Sequence, residues 1–151
     1  MKKFAVAAAL LSAAVATPAL AADGGEVRLE ARGGIAWAGG AEEAIAGVAA
    51  GYDFDLGSSA FAGLEVSADK ILVGGTDVVF GLTGRLGAKI GEQGKLYATG
   101  GYSFNDGDAA HIGAGYQHKL SQNVYGKVEY RRFLLNGTDI NTAAVGIGVT
   151  F

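Results

Sequence analysis

Two short stretches of the chain alternate charge with apolar residues, Arg28-Leu29-Glu30-Ala31-Arg32 and Lys127-Val128-Glu129-Tyr130-Arg131. In an extended strand every second side chain points to the same side, so each stretch sets a carboxylate between two cations on one face. Glu65, Arg85 and Lys89 stand in the same relation to their apolar neighbours Leu64, Val66, Leu86 and Ile90. These residues (Arg28, Glu30, Arg32, Glu65, Arg85, Lys89, Lys127, Glu129 and Arg131) form the candidate site. Their expected chemistry is ion pairing in a confined space, where an unpaired charge would carry a large desolvation cost. Groups that make and break bonds are scarce. The chain has no Cys and only two His, His111 and His118, which excludes disulfides, thiolate catalysis and Cys-based zinc sites. Nothing in the sequence nominates a nucleophile for either histidine. No catalytic residue, metal ligand or cofactor is expected. The formal net charge of −3 argues against nucleic acid as a partner.

The elements that would position these charges are strands. Val27, Leu29, Ala31, Gly33, Ile35 and Trp37 form an apolar side opposite Arg28, Glu30 and Arg32. The period of two returns over 44–54, with Gly47, Gly51 and Asp53 on the polar side, and over 60–68 and 77–90. It continues over 95–104, where Tyr97 shares the polar side with Lys95, and over 109–120, where His111 does so. The last two repeats are 124–133 and 140–151. Turn signals separate them, among them Gly91-Glu92-Gln93-Gly94, Ser121-Gln122-Asn123 and Asn136-Gly137-Thr138. Eight segments of roughly 9–14 residues suit tilted strands that cross a bilayer. Beyond residue 21 the longest stretch free of charge, 140–151, has 12 residues, too short for a spanning helix of about 20.

The expected fold is therefore all-β: a closed, antiparallel, eight-stranded, up-and-down transmembrane β-barrel. Its apolar face would meet lipid and its polar face would fill the interior. All 26 glycines lie beyond residue 22. Long charged side chains fit a narrow interior only beside very small neighbours, and glycine also relieves the bends of a closed sheet. Aromatic residues gather near strand ends, Trp37, Phe80 and Phe104 at one edge and Phe54 and Phe151 at the other, as two interfacial girdles would. Met1-Lys2-Lys3, the apolar run after it and Ala19-Leu20-Ala21 read as a cleaved secretory signal peptide over 1–21, leaving 22–151 as the barrel domain.

With these segments and a terminal phenylalanine, the chain resembles the small eight-stranded outer-membrane β-barrel proteins of Gram-negative bacteria. That group includes outer membrane protein X, the opacity-like porins and the barrel domain of outer membrane protein A. Gly100-Gly101-Tyr102 and Gly113-Ala114-Gly115-Tyr116 are similar to the Gly-aromatic segments of the opacity-like members, and Val128-Glu129-Tyr130-Arg131 to their penultimate strand. Gly146, Val149 and Phe151 match the C-terminal β-signal of the group, although Val145 stands where a polar residue is usual. The resemblance implies an integral outer-membrane protein, structural or porin-like, with no cofactor. It also implies contact with outer-membrane lipid and lipopolysaccharide, recognition by the barrel assembly machinery through the C-terminal strand, and a monomer. The external loops expected at 38–43, 69–76, 105–108 and 135–139 are short, which argues against an adhesin. Two other readings stay open. One is a soluble periplasmic β-barrel with its apolar face inward around an apolar ligand. The other is an outer-membrane lipid-modifying enzyme. Barrels of that kind use a His and a Ser two residues apart, whereas His111 is followed by Ile112-Gly113 and His118 by Lys119-Leu120.

Overall fold

A computed structural model describes residues 24–105 and 108–151. The signal peptide expected over 1–21 lies outside the described residues. Eight strands follow one another: β1 Gly25–Ala38, β2 Ala41–Asp55, β3 Ala60–Ile71, β4 Val78–Ile90, β5 Gly94–Phe104, β6 Ala109–Lys119, β7 Val124–Leu134 and β8 Ile140–Thr150. Each pairs antiparallel with its neighbour in sequence, and β8 pairs with β1, from Arg28 opposite Thr150 to Trp37 opposite Asn141. The sheet is thus a closed barrel. Closure gives both edge strands a partner, which an apolar surrounding demands because it offers no water to exposed N–H and C=O groups.

The two ends of the barrel differ. Both described termini lie at one end with the short β2–β3, β4–β5 and β6–β7 connections; this is the turn end. Here Leu56 N donates to Ala60 O at 3.0 Å and Leu120 N to Val124 O at 2.8 Å. The opposite, loop end carries the β1–β2, β3–β4, β5–β6 and β7–β8 connections.

Strand existence and facing follow the period-two reading, but two loop-end boundaries move. Residues 38–43 are not a loop: Glu42 pairs with Trp37 and Glu43 with Ala36, and only Gly39-Gly40 turns the chain. Both glycines have positive φ, 55° and 91°, which is what a two-residue turn matching the twist of the flanking strands requires. Asp69, also expected in a loop, is a strand residue of β3 opposite Gly47.

The burial pattern is inverted relative to a protein folded in water. Val145 on the outer wall is 63% exposed, whereas Arg28 on the inner side is 1% exposed. Leu64, Val66, Leu82, Leu86, Ile112 and Val128 line the exposed wall with it. A soluble barrel holding an apolar ligand needs the opposite assignment, with the charges outside and the apolar face within. The apolar side of each strand faces out because the charged side has partners only within the barrel.

The Gly39-Gly40 turn gives a first test. Gly39→Val and Gly40→Val should each destabilise the folded barrel by about 1–2 kcal/mol, the cost of forcing a β-branched residue to positive φ. Gly39→Asn should cost clearly less, because Asn tolerates that region. Denaturant midpoints of the barrel in detergent or lipid would report the difference, and equal effects of Val and Asn would contradict the turn assignment.

Candidate functional site

The inward side chains of β1, β2, β3, β4, β5 and β7 meet in the middle of the barrel around two carboxylates. Asp53, from β2, is fully buried. Its Oδ1 accepts from Arg28 Nε at 3.1 Å, and its Oδ2 from Arg85 Nη2 at 2.9 Å and Lys95 Nζ at 3.0 Å. Glu65, from β3, is 2% exposed. Its Oε1 accepts from Arg131 Nη2 at 2.7 Å and Arg32 Nη1 at 3.1 Å, and its Oε2 from Arg28 Nη1 at 3.3 Å. Arg28 therefore joins the two centres.

Glu30 and Glu129 complete the set. Lys127 Nζ lies 2.8 Å from Glu30 Oε1 and 3.3 Å from Glu129 Oε2. Arg131 Nε donates to Glu129 Oε1 at 2.5 Å, and the hydroxyls of Tyr97 and Tyr125 donate to Glu129 and Glu30 at 2.8 and 3.0 Å. Toward the ends, Glu26 takes Lys95 and Asp69 takes Arg32. Among the described residues the six buried cations Arg28, Arg32, Arg85, Lys95, Lys127 and Arg131 thus meet six anions, Glu26, Glu30, Asp53, Glu65, Asp69 and Glu129, and Glu26 also takes the more exposed Lys119 at 3.6 Å. That balance is what removal from water demands, since an unmatched buried charge costs several kcal/mol.

Glycines make room for this cluster. In the strand register Arg28 faces Gly51, Arg32 faces Gly47 and Gly146, and Glu30 faces Gly148. Arg85 faces Gly63, Tyr97 faces Gly87 and Gly115, His111 faces Gly101, and Arg131 faces Gly113. A Cβ at Gly51 would stand 2.5 Å from Arg28 Nη2 and 2.7 Å from the Leu64 carbonyl oxygen; one at Gly113 would stand 2.8 Å from Thr99 Oγ1. The large charged residue and the glycine across from it are one packing unit.

Of the nine residues read from the sequence, eight lie in this buried group, and Lys89 does not. Lys89 is on the inward side of β4 but near its turn end, opposite Lys95. Its amine turns to the half-exposed Asp55 at 2.8 Å. Lys95, by contrast, takes the buried Asp53, a hub that a lone carboxylate between Tyr52 and Phe54 does not announce. The interior is also less uniformly polar than its alternation suggests. Phe61, Tyr97 and Tyr125 are buried toward the turn end. Arg85 Nε and Nη1 have no hydrogen-bond partner, but the guanidinium carbon lies 4.2 Å from the Tyr97 ring centre and 4.9 Å from that of Phe61, a cation–π arrangement. Phe61 sits on the polar side of its strand, where only its parity could have placed it inside.

His111 is held between two hydroxyls, Thr83 Oγ1 at 2.9 Å from Nε2 and Ser103 Oγ at 3.1 Å from Nδ1. His118 faces out beside the Tyr116 hydroxyl, 3.2 Å away. At the loop end Phe80 and Phe104 pair across β4 and β5 with ring centres 6.1 Å apart, and Trp37 lies 6.1 Å from Tyr130. Phe54, beside Tyr52, and Phe151, whose N donates to Val27 O at 3.0 Å, lie at the turn end. Of the C-terminal triad, Val149 and Phe151 face out, while Gly146 faces in against Glu30.

Chemically, this site holds charge in place. The closed eight-stranded fold around it is the one found in small outer-membrane β-barrels. No family model matches the chain, and no curated protein matches it. Among solved structures it is similar to Ail, the attachment invasion locus protein of Yersinia pestis, with a TM-score of 0.61 and 15% identity over 84% of this chain and 97% of that one. The N-terminal β-barrel domain of Pseudomonas aeruginosa OprF gives 0.61 and 18%, covering 83% and 97%. Neisserial surface protein A gives 0.57 and 14%, covering 85% and 98%. At such identities the likeness is one of fold.

Removing a hub and removing a rim partner should differ sharply. Glu65→Ala takes an anion from Arg28, Arg32, Arg131 and Lys127, whose Nζ lies 3.8 Å from Glu65 Oε2, and should destabilise the barrel by roughly 3–5 kcal/mol. Asp55→Ala, which frees only the half-exposed Lys89, should cost about 0–1 kcal/mol. Unfolding of both variants in lipid vesicles would check this, and similar losses would mean that Glu65 is not a hub.

Proposed function

We propose that the protein is an integral outer-membrane β-barrel with a structural role, whose interior is plugged by side chains and passes little or no solute. One observation carries this reading: a closed sheet whose outer wall is apolar and exposed across its middle, with polar side chains such as Arg132 and His118 only toward the ends, surrounds a cluster of paired charges. An apolar exterior of that extent belongs against acyl chains. An eight-stranded interior is only wide enough for side chains, and here those chains bond one another across its full width. The outward aromatics at both ends suit the headgroup level, including contact with lipopolysaccharide.

In this reading residues 1–21 direct export, and the last strand, with Gly146, Val149 and Phe151, is the part offered to the barrel assembly machinery. A monomer suffices, because the closed sheet leaves no unpaired edge. The loop-end connections are as short as Gly39-Gly40, so little surface projects for gripping a macromolecule.

Two measurements test the proposal together. The protein should stay with outer membranes through osmotic shock, require detergent for release, and change electrophoretic mobility only after boiling. In planar bilayers it should give no large, stable conductance. Release as a soluble protein would overturn the membrane assignment, and a steady open channel would overturn the plug.

A further inference from the structure

Above the ion-pair cluster, toward the loop end, the inner wall changes character. Ile45, Ile71, Val79, Phe133, Leu135 and Ile140 point inward there, and each is only half-buried. They line a cup of about 110 Å³ that opens toward the loop end, with the small side chains of Ala36 and Ala109 leaving the space open. An apolar cavity of roughly 150 Å³ is known to stay dry and to take up benzene. The size here is of that order, and the upper wall is likewise apolar, over a charged floor.

The floor of the cavity decides what kind of molecule fits. It includes Arg32, Asp69, Glu129 and Arg131, and Lys70 stands in the wall beside it with its amine donating to the Thr76 carbonyl at 2.5 Å. Arg32 is spent: Nε donates to Asp69 Oδ1 at 2.8 Å, Nη2 to Asp69 Oδ2 at 2.5 Å and Nη1 to Glu65 at 3.1 Å. Arg131 serves Glu129 and Glu65, and the Ser103 hydroxyl serves His111. An ionic ligand would have to break existing pairs in a place where unpaired charge is costly. A neutral apolar one disturbs none of them and covers side chains that are now half-exposed. Phe133, whose ring packs against His111 with centres 5.3 Å apart, supplies an aromatic surface in the wall.

We propose that this cavity is a binding site for a small, neutral, apolar molecule, an aromatic ring the size of benzene or toluene. The inference goes beyond the structural role proposed above and does not depend on the interior being closed to solutes.

The isoleucines provide the test. Of seven in the chain, Ile45, Ile71 and Ile140 line the cavity, while Ile35, Ile90, Ile112 and Ile147 are exposed on the outer wall. With methyl-labelled isoleucine and the chain folded in deuterated detergent micelles, toluene is titrated and methyl shifts are followed. The three inner methyls should shift to saturation and show cross-relaxation with toluene, whereas the four outer ones follow micelle loading without saturating. Ala109→Phe, which fills the space, should abolish the saturating component and leave the outer response intact. If that variant does not fold, Ala36→Leu fills the same space from β1. All seven methyls moving together would show partition into detergent only and overturn the proposal. So would inner methyls that do not respond, a saturating response that survives the filled cavity, or a detergent tail held in the cavity that toluene fails to displace.

Discussion

Pairing of charge in a space without water governs the rest of this structure. Every second residue of eight strands must go inside, and the interior admits no solvent shell for Arg28, Glu65 or Arg131. Each cation placed there obliges an anion within reach, and the six-to-six match around Asp53 and Glu65 meets that demand. Buried pairs of this kind contribute little net stability compared with a well-packed apolar core. Their value in a barrel is different. A slip of one residue in any strand would exchange its two faces. With lipid-like residues on one face and charges on the other, such a slip would put arginine into hydrocarbon and leave anions inside unpaired. The ion pairs specify register more than they add stability.

That specification has a steric side. A guanidinium reaching across a narrow barrel needs an absent side chain beside it, and the register supplies one: Gly51 by Arg28, Gly63 by Arg85, Gly113 by Arg131, Gly148 by Glu30. The same rule extends to the buried rings, since Phe61 faces Gly87 and Tyr125 faces Gly148. The glycines therefore do more than relieve curvature. Because a glycine and its large partner sit on neighbouring strands, a shift of one strand against the next would set large residues against each other, so volume and charge enforce the same alignment.

Much of this was legible in the sequence because a strand's period is local. The eight segments, their faces and the inward course of Arg28, Glu30, Arg32, Lys127, Glu129 and Arg131 follow from neighbours one and two residues away. What needed the structure is long-range. That Asp53 meets Arg28, Arg85 and Lys95 depends on how far β2, β4 and β5 are staggered around the barrel. Lys89 shows the converse: its parity is right, but its height in the barrel is not written in its neighbours, and height puts it at the rim with Asp55. Residues 38–43 read as a loop from the sequence, and the two-residue Gly39-Gly40 turn emerged only with Ala38 opposite Ala41. The apolar mouth was hidden for a related reason. Ile45, Ile71 and Ile140 have inward parity but are residues typical of the outside, and residue type alone assigns them to lipid.

Taken by height, the interior is three layers with three chemistries. At the turn end Phe61, Tyr97 and Tyr125 pack beneath Arg85 and Lys95. The balanced ion pairs fill the middle. At the loop end the wall is aliphatic around an open volume. A molecule entering from the loop end meets Arg32 and Arg131, both already bonded to carboxylates, with Glu65 beneath them. Going further would mean separating pairs that have no water to replace their partners. The mouth is therefore a cup rather than the vestibule of a channel, and whatever it holds leaves by the way it came. The apolar lining and the closed floor have one physical origin: most of the interior charge is gathered in the middle layer, where it is matched, and the cation in the wall above, Lys70, is held by the Thr76 carbonyl.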